Sequence, residues 1–355
     1  MKVLHLPHNV GSKITLTVSA LRKLGADARG IAINNRLDHA GEDVHVFNPK
    51  NFSYFDPRKY FEYSSAKRCL NESIAWADIV HWYYEPVILR TARFIDLVHR
   101  LNKPAVIEWI GSDIRIGEDL SRHNSYYKKQ IEQDYPYRSE TKAHSRLMQK
   151  KFKDAGFFSL VRPELEEFIQ QDIFPHYHTI NNRVNVSSYS PLYPSLSKKK
   201  PVIVHPVTAR SAKGTSYVLD AIDRLRKKYE FDFILLEGIP HANVILKMSE
   251  ADILIDQLII GAFGTTTLEG MALGKPTVCY LDDVLIKKLP SDCPIVNANP
   301  DTIYSALESL LSNPESRNNI GMRSRKYVEE HHDADKIAAQ LMKIYEEVIH
   351  SKRTK

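Results

Sequence analysis

The chain has 355 residues, 43% of them apolar, a length that exceeds one average domain and suits two of the α/β type. A formal charge of +6 and a pI near 8.9 fit an anionic ligand or an acidic surface, and no nucleic-acid-binding motif accompanies them. Cys69, Cys279 and Cys293 are odd in number and lack CxxC spacing, which argues against a disulfide framework or a zinc site, and no apolar run approaches the length of a bilayer span. With no signal-like segment ahead of Lys2-Val3-Leu4, the expected location is a reducing cytoplasm.

A short apolar strand at 3–6 leads through Pro7-His8-Asn9-Val10-Gly11-Ser12 into a helix-period run at 13–24, with Ser12 as the expected N-cap and Gly25 as the stop. Further strands are predicted at 28–33, 44–47, 78–82 and 104–109, with helices at 58–76 and 87–101 between the later ones. Strands alternating with helices give a mostly parallel, doubly wound sheet. The fifth strand ends in Ile110-Gly111-Ser112-Asp113-Ile114-Arg115, where Asp113 either caps the following turn or faces a ligand. From Arg122 to Lys153 basic residues outnumber acids, and Tyr126, Tyr127, Tyr135 and Tyr137 are interleaved. Such a stretch is either a solvated helical face or a surface that rests on an anionic leaflet. Strands at 157–161 and 177–180 complete the first domain, and the aperiodic stretch 187–200, rich in Pro, Ser, Tyr and Lys, reads as a linker. The expected organisation is therefore a first domain at 1–186, a linker at 187–200, a second domain at 201–334 and a terminal helix at 335–355.

The second domain opens with a strand at 202–206, a loop containing Arg210 and Lys213-Gly214, and a helix at 215–228. Two cations at the carboxyl end of a strand, beside a helix N-terminus, make a site for a diphosphate. A strand at 233–236 is followed by Glu237-Gly238-Ile239-Pro240-His241. The stretch 251–281 then runs through a strand at 253–255, Gly261, Phe263 and Gly264 into a helix beginning Thr265-Thr266-Thr267, and leaves by Gly274-Lys275-Pro276 into a strand at 277–281. This unit sets the first turn of a helix at the carboxyl end of a parallel sheet, where backbone N–H groups and the helix dipole favour a phosphate. Glu269, one turn further in, would repel a phosphate placed on it but could accept hydrogen bonds from ribose hydroxyls. A strand at 295–296 and helices at 302–311, 315–330 and 335–349 complete the chain. Neither His331-His332-Asp333 nor the Asp333/Asp335 pair has further ligands at suitable spacing, so no metal is expected.

Taken together, Phe263-Gly264, Glu269, Gly270-Met271-Ala272 and Gly274-Lys275-Pro276 resemble the donor-binding motif of the retaining GT-B glycosyltransferases, family 4 in particular. The resemblance implies two Rossmann-like doubly wound domains facing a central cleft, with the C-terminal helix crossing back to the first. It implies a nucleotide-diphosphate sugar as donor and substrate, a glycan or lipid-linked acceptor, transfer with retention, no cofactor, and no metal at the diphosphate. By the same resemblance Arg210 and Lys213 serve the diphosphate, Ile239 cradles the base, and Glu269 takes the ribose. Gly261, Phe263, Gly264, Thr265 and Thr266 form the rest of the donor loop. Gly11 stands for the family's first glycine loop, and Asp113 lies in a stretch similar to its His-Gly-Ser-Asp loop, with Ile110 in place of the histidine. Asn181-Asn182-Arg183-Val184-Asn185 is similar to the turn by which the family leaves its first domain. Gly261 occupies the position of the family's first glutamate, which touches the transferred sugar. The expected role is surface polysaccharide synthesis, with peripheral contact at the inner membrane face through 122–153. Two other classes compete: an NAD-type oxidoreductase with Asp282-Asp283 on the adenosine ribose, which lacks the GxGxxG pattern, and a GT-B protein that binds nucleotide sugar without transferring it.

Overall fold

In the computed structural model, which describes residues 1–33, 43–48, 56–84, 92–132 and 140–354, the apolar runs become parallel strands in two sheets. The first sheet contains β1 (Lys2–Leu6), β2 (Asp27–Ile33), β3 (Val44–Phe47), β4 (Ile79–Tyr83), β5 (Ala105–Glu108), β6 (Phe158–Val161) and β7 (His178–Thr179), in the order β3-β2-β1-β4-β5-β6-β7. The second contains β8 (Val202–Val207), β9 (Asp232–Glu237), β10 (Ile253–Ile255), β11 (Thr277–Cys279) and β12 (Val296–Asn297), in the order β12-β11-β10-β8-β9. Near-continuous apolar strands such as β4 and β10 are buried along their whole length, the mark of sheets covered on both faces. Strand order reverses between β1 and β4 in one sheet and between β8 and β10 in the other. At such a switch point the connections leave in opposite directions and open a crevice beyond the strands' carboxyl ends.

The chain divides into two compact units, Met1–Ile116 with Ser139–Asn181 and Ala334–Lys355, and Gly117–Arg138 with Asn182–Asp333. In the first unit Val3, Ile14, Val18 and Leu21 share a core with Ile337, Leu341, Tyr345 and Val348 of the terminal helix Ala334–Arg353. Those four apolar positions lie three or four residues apart and so form one stripe. Tyr345 adds a 2.5 Å hydrogen bond between its hydroxyl and Nδ1 of the buried His81. The core of the second unit gathers Ile203, Val218, Ile222, Leu225, Ile253, Ile255, Val278 and Leu307 around β8 and β10.

Several local features depart from the sequence reading. Ser12 makes no cap hydrogen bond, because a 3-10 turn at Val10–Ser12 intervenes and Asn9 Oδ1 accepts instead from the N–H groups of Ile14 (2.8 Å) and Thr15 (3.3 Å). The segment Gly117–Arg138, which chain order puts in the first domain, belongs to the second unit. There Asn124 Nδ2 donates to the Ile259 carbonyl at 2.8 Å, and Tyr126 donates to Asp301 at 2.6 Å. Tyr126 is half-buried and Tyr127 buried, so these two tyrosines of the basic stretch make internal contacts, while residues 133–139, with Tyr135 and Tyr137, lie outside the described residues. Of the helix expected at 87–101, Ala92–Arg100 is observed, and 87–91 lie outside the described residues. Among the described residues no helix is long and apolar enough to cross a membrane.

His205 sits buried on β8 with Nδ1 2.9 Å from the Ile255 carbonyl and Nε2 3.1 Å from Thr215 Oγ1. Nδ1, facing a carbonyl, carries a hydrogen, and Nε2 faces a hydroxyl that can donate to a neutral ring. Burial pushes its pKa down to about 4. Because this lies below the unfolded value of about 6.5, the stability His205 contributes is full above pH 6.5 and is lost as pH falls toward 4. The stability advantage of wild type over His205→Gln in urea unfolding should shrink by about 2 kcal/mol between pH 7 and pH 5. A pH-independent difference would mean that this ring is not the titrating group.

Candidate functional site

The loops after β8 and β10 flank the switch point of the second sheet, and most of the sequence-predicted site residues lie on them. After β8 the chain turns through the short helix Arg210–Lys213, and Gly214, at φ +69°, starts the helix Thr215–Leu225. After β10 the loop passes Gly261 and reaches Gly264, the N-cap of the helix Thr265–Ala272. No side chain caps this helix, nothing lies within 4 Å of where a Gly264 Cβ would stand, and the hydroxyls of Thr265 and Thr266 have no partner among the described residues. An open helix N-terminus with two adjacent hydroxyls is suited to an anion. Deeper in the helix, Gly270 lets it approach β10, since a Cβ there would come within 2.4 Å of Leu254 Cδ1.

Lys213 and Arg210 differ in their surroundings. Lys213 is buried and its ammonium is paired with the fully buried Asp256, one residue beyond β10, whose other oxygen accepts from Thr267 Oγ1 at 2.5 Å. Arg210 is exposed and holds Glu237 through two nitrogens, Nε at 3.0 Å and Nη2 at 2.7 Å. Both cations expected at the diphosphate are thus matched by acids that the sequence reading did not assign. Glu269 is buried, and its Oε1 accepts from His241 Nε2 at 2.8 Å and from the Tyr189 hydroxyl at 3.2 Å. Neither partner was among the predicted residues. His241 opens the helix His241–Ser249, two residues after Ile239, which is 39% exposed.

Phe263 is 6% exposed and belongs to a core cluster with Leu268, Met271 and Val184, its ring 5.7 Å from that of His332. It therefore supports the loop from beneath instead of facing a ligand. Gly261 has φ +82°, and a Cβ on it would stand 2.9 Å from Asp282, so the tight turn itself requires glycine and leaves no room for a glutamate. Asp282, the acid that the dinucleotide alternative would place on a ribose, caps the helix Asp283–Ile286 and accepts from Leu285 N–H at 2.8 Å. In the first unit, Gly11 adopts φ +56° in the turn after β1. Asp113 is fully buried and accepts from the N–H groups of Ile110 and Gly111, the latter at 2.7 Å. Burial raises its pKa to about 6. These bonds run to the residues ahead of Asp113, so the side chain folds the Ile110–Asp113 loop on itself and does not cap the turn that follows.

No family model matches this sequence, and no curated protein matches it significantly. Solved structures match its fold over the whole length. Sucrose-phosphate synthase from Thermosynechococcus elongatus is 14% identical with a TM-score of 0.63, covering 99% of this chain and 99% of that one. A glycosyltransferase from Rickettsia africae ESF-5 is 15% identical with a TM-score of 0.60, at 98% coverage of both. The HepE protein of Anabaena, solved with UDP and glucose, is 12% identical with a TM-score of 0.56, covering 98% of this chain and 100% of that one. The chain has the GT-B fold of the glycosyltransferases: α/β, with two Rossmann-like domains.

The Lys213–Asp256 pair yields a stability prediction. Removing one member of a buried pair strands the other charge, at a cost of about 3–5 kcal/mol, whereas replacing both with apolar residues of similar volume is often near neutral. Asp256→Ala should accordingly lower unfolding free energy by about that amount, and Lys213→Met/Asp256→Leu should recover most of it. A double variant as unstable as Asp256→Ala would show that the network's hydrogen bonds, and not its charges, dominate.

Proposed function

We propose that the protein is a nucleotide-sugar-dependent glycosyltransferase whose donor binds at the carboxyl ends of β8 and β10. The observation that carries this reading is the placement of Glu269, a buried acid with a fixed orientation, just inside the open N-terminus at Gly264. That pairing offers a ribose acceptor beside a diphosphate site. The HepE structure supports it, since a protein of the same fold was solved with UDP and glucose. On this reading the N–H groups after Gly264, the Thr265 and Thr266 hydroxyls, and Lys213 and Arg210 stabilise the negative charge that develops on the leaving diphosphate. Arg210 releases Glu237 to do so, and Lys213 is shared between Asp256 and the phosphate. Membership of family 4, retention of configuration, a glycan or lipid-linked acceptor, a role in surface polysaccharide synthesis and a cytoplasmic site of action, peripheral to the membrane, complete the proposal by family analogy.

The first test is a binding screen of UDP, GDP, ADP and CMP by calorimetry, with and without sugars attached. Glu269→Gln keeps the shape but loses the charge, and a charge-assisted bond is roughly twice as strong as a neutral one, so the preferred nucleotide should bind about tenfold more weakly to a folded variant. Wild-type affinity in Glu269→Gln would refute the ribose assignment.

Lys213→Ala should depress turnover more than donor affinity, because a group acting on the leaving diphosphate counts most in the transition state. Equal losses would reduce Lys213 to an anchor. Donor turnover should also survive excess chelator, since the cations and helix N-terminus supply the positive field that a metal would otherwise give. Activity that vanishes with chelator and returns with magnesium or manganese would overturn the metal-independent mechanism.

A further inference from the structure

Glu269 is held unevenly. His241 Nε2 and the Tyr189 hydroxyl both converge on Oε1, at 2.8 and 3.2 Å, whereas Oε2 has no hydrogen-bond partner among the described residues. The two donors come from unrelated parts of the second unit: Tyr189 from the aperiodic segment before β8, and His241 from the first turn of the helix His241–Ser249. Tyr189 stays a donor at any working pH, because burial, reinforced by the Glu269 charge, drives its hydroxyl pKa above the usual tyrosine range. His241 presents Nε2 to a carboxylate, so that nitrogen carries a hydrogen whether the ring is neutral or charged. A carboxylate gripped by one oxygen cannot rotate, and its second oxygen keeps a single direction before any ligand arrives.

Resting on the nucleoside diphosphate reading above, we infer that His241 and Tyr189 are specificity-determining positioning residues. By fixing Oε1 they aim Oε2 at the ribose 2′-hydroxyl, and so make the site select ribonucleoside over 2′-deoxyribonucleoside diphosphates. A site built to hydrogen-bond a hydroxyl rejects the analogue lacking it, because its own polar group is then left unpaired. A Glu269 side chain without these partners has rotamer freedom to lose on binding, which weakens the ribo form and leaves the deoxy form little changed.

The experiment is calorimetric titration of UDP and 2′-deoxy-UDP, or the corresponding pair for whichever base wild type prefers. Wild type should favour the ribo form by about tenfold or more. His241→Ala, alone and with Tyr189→Phe, should bring the ratio near unity by weakening the ribo form while the deoxy form binds as before. His241→Gln, which keeps an N–H donor at comparable reach, should retain most of the preference. In turnover assays His241→Ala should raise the donor KM more than it lowers kcat. An unchanged ratio in His241→Ala, or equal weakening of both nucleotides, overturns the inference, the latter marking a merely structural residue. If wild type binds no nucleoside diphosphate, or Glu269→Gln keeps the full preference, the donor reading itself fails instead.

Discussion

A lysine ammonium buried at the carboxyl end of a parallel sheet is stabilised by an acid buried with it, and in the second unit that acid is Asp256. Burial alone would raise the Asp256 carboxyl, but the Lys213 charge and the hydrogen bonds from Lys213 and Thr267 outweigh it and hold the group below its ordinary range. The three side chains belong to the loop after β8, the residue after β10 and the first turn of the helix Thr265–Ala272. One buried charge network thus locks together the two loops that flank the switch point. This explains how the helix start at Gly264 can be left without a side-chain cap: its position is fixed by Thr267 from below, and its upper N–H groups remain available.

The two cations of the site consequently play unequal parts. The Arg210–Glu237 pair is solvated on both sides, and exposed ion pairs hold their partners weakly, so Arg210 is able to turn away from Glu237. Lys213 cannot leave Asp256 without stranding a buried carboxylate, and any contact it makes with a ligand is made from within the pair. On the proposed reading, an anion at this site meets one mobile cation and one fixed one. The fixed one defines position, and the mobile one adjusts to charge.

How much of this was legible in the sequence follows from what each signal depends on. The strand at 253–255 and the helix after Gly264 are local patterns, and β10 and Thr265–Ala272 occupy them. The position of Glu269 was legible because it depends only on distance along a helix from a glycine turn. Asp256 was a weaker signal, one polar residue closing an apolar run. Tyr189 gave none, since its segment has no period and its contact spans 80 positions of sequence. Phe263 was misread because a sequence gives no side to an aromatic in a loop, and only packing shows it beneath the loop. The allegiance of Gly117–Arg138 likewise rests on long-range contacts such as Asn124 with Ile259, which no local pattern encodes.

Gly274-Lys275-Pro276 gains a physical role from the same contacts. Lys275 is 1% exposed, and burial draws its pKa down to about 8, yet its ammonium donates to the Leu192 carbonyl while Leu192 N–H donates to the Leu273 carbonyl at 3.0 Å. A Cβ on Gly274, at φ +73°, would stand 2.7 Å from the Tyr193 ring, so this glycine makes room for the segment that Lys275 grips. Arg325 completes the clasp by donating to the carbonyls of both Tyr189 and Ala272, at 2.6 and 2.7 Å. The segment before β8 is thereby bound along the end of the helix Thr265–Ala272, and the same binding delivers the Tyr189 hydroxyl to Glu269. The glycine-lysine-proline turn thus need not touch a ligand to matter to a site on Glu269. It holds in place the chain that orients the acid, and a buried lysine on a backbone carbonyl is a costly arrangement that this latch accounts for.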